Sequence, residues 1–311
     1  MILDDFLIKT NIGFYCKYAD VYIDPQKPVN TSIVSHAHAD HACAGSNVVY
    51  CTAATEAFMK LRYKQKAARQ FFTLNFHQSI YINGVEFIFI PAGHILGSAQ
   101  ILMRYKNISY LYSGDIKLQV DHTVEQIKLV KADVLITECT FAHPQYVHPD
   151  PTSEIKNLGD LNSPLIIGTY ILGKAQRLNY LINSILPNTP VYIHYDILAY
   201  HKIYENIGQL KFVYSELQKR DLRLGLAGIY LVPPLTYQSY RIKYPYKFAF
   251  ASGWDHLQNN EQQLKISDHM DWIELQKYIE AVNPTEIWAI HGDSSYLSEH
   301  FKNTDVRFKT L

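Results

Sequence analysis

Ser35-His36-Ala37-His38-Ala39-Asp40-His41 is the stretch from which the rest of this chain is read. The apolar-rich Thr31-Ser32-Ile33-Val34 before it reads as a short buried strand, and Cys43 to Ser46 after it as a turn. The histidines therefore sit on the loop at a strand's end. His36 and His38 alternate, so in an extended loop both imidazoles can face one metal ion. Asp40 and His41 follow at once, and the turn can swing them toward a second ion. Neutral imidazoles with one carboxylate suit zinc or a similar first-row metal. A run of solvated loop histidines is the alternative, but so dense a cluster of three His and one Asp seldom arises by composition.

The chain has 311 residues, enough for a large core and for two domains. Its formal net charge is zero, which excludes a global field that recruits nucleic acid; any such contact rests on local basic patches. Cys16, Cys43, Cys51 and Cys139 show no CxxC pair, and no signal peptide precedes them. They read as reduced thiols of a cytoplasmic protein. No apolar run is long enough to cross a bilayer, which argues against a membrane partner. The 24 tyrosines read mostly as amphipathic packing residues.

Outward from the histidine stretch, the first part of the chain is strand after strand. Val21-Tyr22-Ile23 ends at Asp24-Pro25, and Val48 to Thr52 is another strand. Thr55 to Lys66 has helical spacing, with a basic set (Lys60, Arg62, Lys64, Lys66, Arg69) that is either a solvated face or a phosphate-contacting one. Asn83-Gly84 joins Ile80–Ile82 to Val85–Ile90 as a hairpin, and Lys106-Asn107 joins a second. Past Pro144 to Pro151 the order becomes βαβα, with strands from Leu165 and Val191 and helices from Lys174 and Ile197, implying a parallel sheet. Residues 209–245 resist a reading. Strand-rich texture resumes at Phe248–Ala251, then a helix from Asp271 to Val282 and a strand from Glu286 to Ile290. The domains expected are 1–145 with 251–311, and an insertion over 146–250.

Several polar residues end apolar strands, where loops can present them to one site. They are His94 in Pro91-Ala92-Gly93-His94, Asp115 in Ser113-Gly114-Asp115, Glu138, His269 and His291. Each alone is weak, and together with the opening stretch they make a complete ligand set for two ions.

His-x-His-x-Asp-His, then His94, then Asp115, resembles the metallo-β-lactamase fold. Thr137-Glu138, Ser267-Asp268-His269 and Ile290-His291-Gly292 resemble the added motifs of the β-CASP nucleases. Asp24-Pro25, the run from Pro91 to Gln100, Leu172-Gly173-Lys174-Ala175-Gln176 and Ala251-Ser252-Gly253-Trp254 are similar to the bacterial ligase-associated DNA exonuclease family, also labelled an mRNA 3′-end processing factor.

The resemblance implies an α/β fold, an αββα metallo-β-lactamase sandwich carrying an inserted small β-CASP α/β domain. It implies two zinc ions, with manganese as the alternative metal. His36, His38 and His94 would hold the first ion and Asp40, His41 and His291 the second, with Asp115 bridging. Asp24 would fix a ligand imidazole's tautomer, and Glu138 with His269 would serve as the acid–base pair beside Asp40. Lys174 and Arg177, on a helix starting after Gly173, are offered as phosphate contacts. The implied activity is metal-dependent hydrolysis of phosphodiester bonds by an exonuclease on single-stranded DNA in DNA repair. An ATP-dependent DNA ligase and a helicase are the implied partners. A histidine in the place of His291 is the form associated with RNA enzymes, so RNA 3′-end processing is the second reading. A small-molecule metallo-hydrolase needs no Glu138–His269 pair, and a non-catalytic binding subunit would have lost ligands.

Overall fold

Short apolar runs broken by Gly, Pro and Asp turns make the first six strands. These are β1 (Leu7–Lys9), β2 (Phe14–Cys16), β3 (Val21–Ile23), β4 (Thr31–Ile33), β5 (Ser46–Cys51) and β6 (Ala68–Thr73), paired in that order as one sheet. The computed structural model describes residues 1–159, 161–254 and 262–311. Between β5 and β6 lies α1 (Ala53–Tyr63), capped by Thr52, whose hydroxyl accepts from the Thr55 amide. The helical pattern read through Lys66 breaks at Lys64, whose φ of 54° ends α1. Arg69 therefore lies on the strand β6, and the five basic residues do not share one helix face.

A second sheet begins with β7 (Ser79–Ile82), β8 (Val85–Pro91), β9 (Ala99–Tyr105), β10 (Ile108–Tyr112) and β11 (Val134–Cys139). Both expected hairpins are present. Asn83-Gly84 and Lys106-Asn107 all have positive φ, the turn whose twist matches antiparallel strands.

Contacts then divide the chain into two units, Met1–Tyr146 with His269–Leu311, and Val147–Asp268. The second unit contains α2 (Pro151–Lys156), β12 (Pro164–Gly168), α3 (Lys174–Ile185), β13 (Val191–Ile193), α4 (Tyr195–Asn206) and β14 (Ser215–Glu216). It continues with α5 (Lys219–Arg223), β15 (Gly228–Val232), α6 (Pro234–Lys243), β16 (Lys247–Ala251) and β17 (Gln262–Leu264). Its strands run parallel in the order β14-β13-β15-β12-β16-β17. Leu165, Ile167, Ile229 and Leu231 pack on Leu178 and Ile182 of α3 and Ile197 of α4. The alternate residues Ile166, Tyr230, Val232 and Phe248 pack on Tyr237 and Tyr240 of α6. The region left unread holds the central strand β15. Residues 262–264 extend this same sheet, whereas the sequence reading returns the chain to the first domain at 251.

The chain re-enters the first unit with α7 (Trp272–Val282), β18 (Glu286–Gly292), α8 (Ser295–Phe301) and β19 (Arg307–Thr310). The second sheet has the order β19-β18-β11-β10-β9-β8-β7. Its inner residues Phe87, Ile101, Tyr112, Ile136 and Trp288 pack on Phe14, Val21 and Ile33 of the first sheet. Its outer residues Leu111, Leu135 and Ile287 pack on Leu275, Tyr278 and Ile279 of α7, while Met59 of α1 covers Val49 and Cys51. The layers are therefore α, β, β, α. Among the described residues no helix is long and apolar enough to cross a membrane.

At the end of β18 the register slips. Glu138 pairs with Ile290 and Cys139 with Gly292, so His291 is the extra residue of a bulge that re-aims its side chain. Gly292 takes φ +94°, and a Cβ there would lie 2.3 Å from the Cys139 carbonyl oxygen. Gly292→Ala should cost about 1–3 kcal/mol by forcing β18 off β11. An unchanged urea midpoint of unfolding would show that the strands yield without strain.

Candidate metal centre

β10, β11 and β18 run parallel, and β8 runs parallel to β10 through the antiparallel β9. Four carboxyl-terminal strand ends therefore share one edge of the second sheet. His94 follows β8, Asp115 follows β10, Glu138 stands near the end of β11, and His291 lies at the bulge of β18. From the first sheet, β3 and β4, also parallel, deliver Asp24 and the stretch from Ser35 to His41.

Asp115 is the hub. Its Oδ2 lies 3.3 Å from His36 Nε2, 3.4 Å from His94 Nε2 and 3.9 Å from His269 Nε2. Its Oδ1 lies 3.4 Å from His41 Nε2. His38 Nδ1 and His94 Nε2 are 3.0 Å apart. The His291 ring stands 5.3 Å, centre to centre, from that of His41. Asp40 sits at the rim with its side chain 73% exposed, its Oδ2 3.8 Å from His41 Nε2.

Asp24, buried and at φ 46°, organises the floor. Its Oδ2 is 2.8 Å from His41 Nδ1 and accepts from the hydroxyls of Tyr112 (2.9 Å) and Ser35 (2.6 Å), while the Ser35 amide donates to Oδ1. A carboxylate on Nδ1 holds the imidazole with Nε2 turned toward Asp115. Ser35 Oγ also lies 3.0 Å from His36 Nδ1, so one serine braces a ligand candidate and its support.

These contacts decide the charges. Burial, and then the positive charge of His41, holds the His36 imidazole well below its ordinary pKa, hence neutral. Burial opposes charge on His41 too, but Asp115 and Asp24 outweigh it and raise its pKa to about 10. Burial works against an ionised Asp115 as well, yet His41, His269 and His36 hold its carboxyl well below the usual range.

The donor set fits a divalent metal site. The buried His36 Nε2 has no hydrogen-bond partner although it faces Asp115. Ligand atoms of His36, His38, His94 and Asp115 lie within 4.8 Å of one another, as do those of Asp24, His36 and His41, and of Asp115, Glu138 and His269. Imidazole nitrogen with carboxylate oxygen is a donor set suited to zinc and its neighbours.

Beside the hub, His269 Nδ1 lies 2.8 Å from Oε2 of the buried Glu138. Glu138 Oε1 accepts from the Ile116 amide at 2.8 Å, and the Thr140 hydroxyl donates to Oε2 at 2.5 Å. The carboxylate is thereby pinned on both oxygens, and the imidazole keeps Nε2 toward Asp115.

Lys174 and Arg177 are residues of α3. Both are buried in the second unit, where Lys174 Nζ donates to the Ile266 carbonyl (2.9 Å) and Arg177 Nη1 to that of Ser267 (2.6 Å). Each also faces Asp268, at 3.3 and 3.6 Å. Their charges are compensated inside the fold, so they are not surface phosphate contacts.

Sequence reasoning missed the braces. Arg62, placed among the basic set, donates to the Ala37 carbonyl at 2.6 Å, and the Tyr63 hydroxyl to that of Ala42 at 2.7 Å. The end of α1 thus pins the histidine stretch at Ala37, between His36 and His38, and again just past its end at Ala42. Ser35, Tyr112, Thr140 and Lys117 were missed as well. Ser35 alone carried a local signal, its place beside His36.

Comparison with known proteins adds relatives. A probable DNA ligase of Opitutus terrae is 29% identical over 304 residues, covering 92% of this chain and 29% of that protein. An RNase J-like protein of Methanocaldococcus jannaschii is 30% identical over 199 residues, 53% of this chain and 47% of its own. The chain thus spans less than half the length of these curated relatives. A crystal structure of an Enterococcus faecalis V583 protein of unknown function superposes with a TM-score of 0.60, covering 90% of this chain and 78% of that one. Its 15% identity speaks for the fold alone. No family model matches the chain. With the αββα layers, the inserted parallel α/β unit, the hub at Asp115 and these relatives together, the resemblance of this chain to the β-CASP metallo-β-lactamase nucleases is borne out.

Proposed function

We propose that this protein is a zinc-dependent exonuclease that hydrolyses phosphodiester bonds of single-stranded DNA. The observation that carries the reading is Asp115, with one carboxylate oxygen toward His36 and His94 and the other toward His41, beside a Glu138–His269 pair. A carboxylate so placed can bridge two ions. A pair of divalent ions, when bound, polarises a phosphoryl oxygen and supplies a water nucleophile at neutral pH. His36, His38 and His94 would hold one; His41, His291 and Asp40 the other. His269 donates a proton from Nε2 to the departing sugar oxygen, and Glu138 stabilises the imidazolium through Nδ1. Asp24 keeps His41 oriented for ligation.

In this reading the first unit is the metallo-β-lactamase domain and the second the β-CASP domain. DNA stands ahead of RNA because the relative matched along most of this chain is named a probable DNA ligase. That relative also supports association with a DNA ligase, in DNA repair. The RNase J-like relative is the specific reason to keep RNA as the second reading. With zero net charge, the grip on nucleic acid falls to local patches such as the exposed Lys60, Lys64, Lys66 and Arg69, and affinity falls as salt rises.

The test is digestion of end-labelled single-stranded DNA and RNA of equal sequence. The expected result is a DNA ladder shortening one nucleotide at a time. Faster digestion of RNA would move the protein to the second reading, and cutting of circular single strands would remove the exonuclease assignment.

A further inference from the structure

We propose that Lys117 is a positioning residue for His269, the clamp that holds the proton donor over Asp115. Lys117 is two residues past Asp115, and its side chain is 1% exposed. So buried an ammonium serves no solvated role. Its Nζ donates to the His269 carbonyl oxygen at 3.0 Å and to Glu274 Oε2 at 2.6 Å.

Both ends of this clamp are fixed. On one side the Lys117 amide donates to the Ala92 carbonyl at 3.1 Å, two residues before His94. The Lys117 carbonyl lies where a Cβ on Gly93 would be 2.4 Å away, so only glycine admits it. The clamp is thus anchored on the loops that bear Asp115 and His94. On the other side, Glu274 accepts from the Asp271 amide (3.3 Å) while Asp271 Oδ1 accepts from the Glu274 amide (2.9 Å), the reciprocal cap of α7. The Met270 amide donates to the Ile116 carbonyl at 2.9 Å. Residues 116–117 and 269–271 are therefore stitched by adjacent bonds, one of them from a buried cation to the main chain of His269.

The chemical need is geometric. The Glu138 bond fixes the imidazole's rotation but not the height of its backbone above Asp115. Lys117 sets that height by holding the carbonyl of the same residue. A misplacement of about 1 Å at a proton donor can cost on the order of 10²-fold in rate.

The proposal rests on the nuclease reading, and two substrates separate them. An oligonucleotide leaves as a sugar alkoxide and needs the proton; bis(p-nitrophenyl) phosphate leaves as a stable phenolate and does not. Lys117→Met should lower kcat on the oligonucleotide by about 10²-fold with KM within about twofold. Turnover of the activated diester and metal content should stay near those of the parent. Lys117→Arg, which keeps donors, should recover part of the loss. Should Lys117→Met not fold, Lys117→Met/Glu274→Gln, which leaves no unpaired carboxylate, reads the same split. Equal losses on both substrates, or a folded variant cutting oligonucleotide at the parent rate, overturns the proposal. A parent inactive on both substrates would overturn the nuclease reading instead.

Discussion

Asp115→Ala should strip the protein of more than one of two bound ions. The parent, purified without chelator, should carry two zinc-like ions per chain, read by elemental analysis. Asp115 faces His36 and His94 through one oxygen and His41 through the other, so its removal takes an anionic ligand from both sets at once. It also removes the carboxylate that faces His41 Nε2, leaving Asp24 on Nδ1 to hold that imidazole. Loss of metal-supplied charge stabilisation is worth several kcal/mol, so turnover should fall by about 10²-fold or more. A variant that keeps one full equivalent would show that Asp115 serves one ion and bridges nothing.

His269→Ala is expected to act on turnover and spare the metals. Its Nδ1 bond to Glu138 and its 3.9 Å approach to Asp115 place it beside the hub. A positioned general acid contributes about 10²–10⁴-fold, and the variant should lose that much on oligonucleotides while retaining both ions. Glu138→Gln, which leaves the imidazole in place and removes only the stabilising charge, should lose less. A diester with a good leaving group should restore much of the rate to His269→Ala. Full oligonucleotide activity in a metal-replete variant would remove His269 from the chemistry.

How much of this was legible in the sequence depended on the range of the signal. His94, Asp115, Glu138 and His291 each end or follow an apolar run, and parallel pairing turns those separate strand ends into one edge of the second sheet, while His36, His38 and His41 follow β4 of the first. That is a local pattern with a topological consequence, and it reads well. Arg62 and Lys117 donate to main-chain carbonyls of Ala37 and His269, contacts that any residue offers and that leave no motif behind. Lys174 and Arg177 read as helix-start cations, but the residues that neutralise them, 266–268, lie some 90 positions on. β15 escaped because a buried parallel strand is apolar on both faces and lacks the alternation that marks a half-exposed one.

The position of β18 has a consequence for biosynthesis. β11, all six of its residues buried in the finished protein, takes its second neighbour only from residues 286–292. During translation it waits as an open, apolar edge while the whole second unit is made, a template for stray pairing. The group of His36, His38, His94 and Asp115, by contrast, is complete in the first 115 residues. In the proposed function a growing chain could therefore bind metal there before His269 and His291 exist, and the metal would tie β4, β8 and β10 together while β11 is still exposed. In the proposed function the ligands around Asp115 are therefore made before the second unit, and the proton donor His269 only after it.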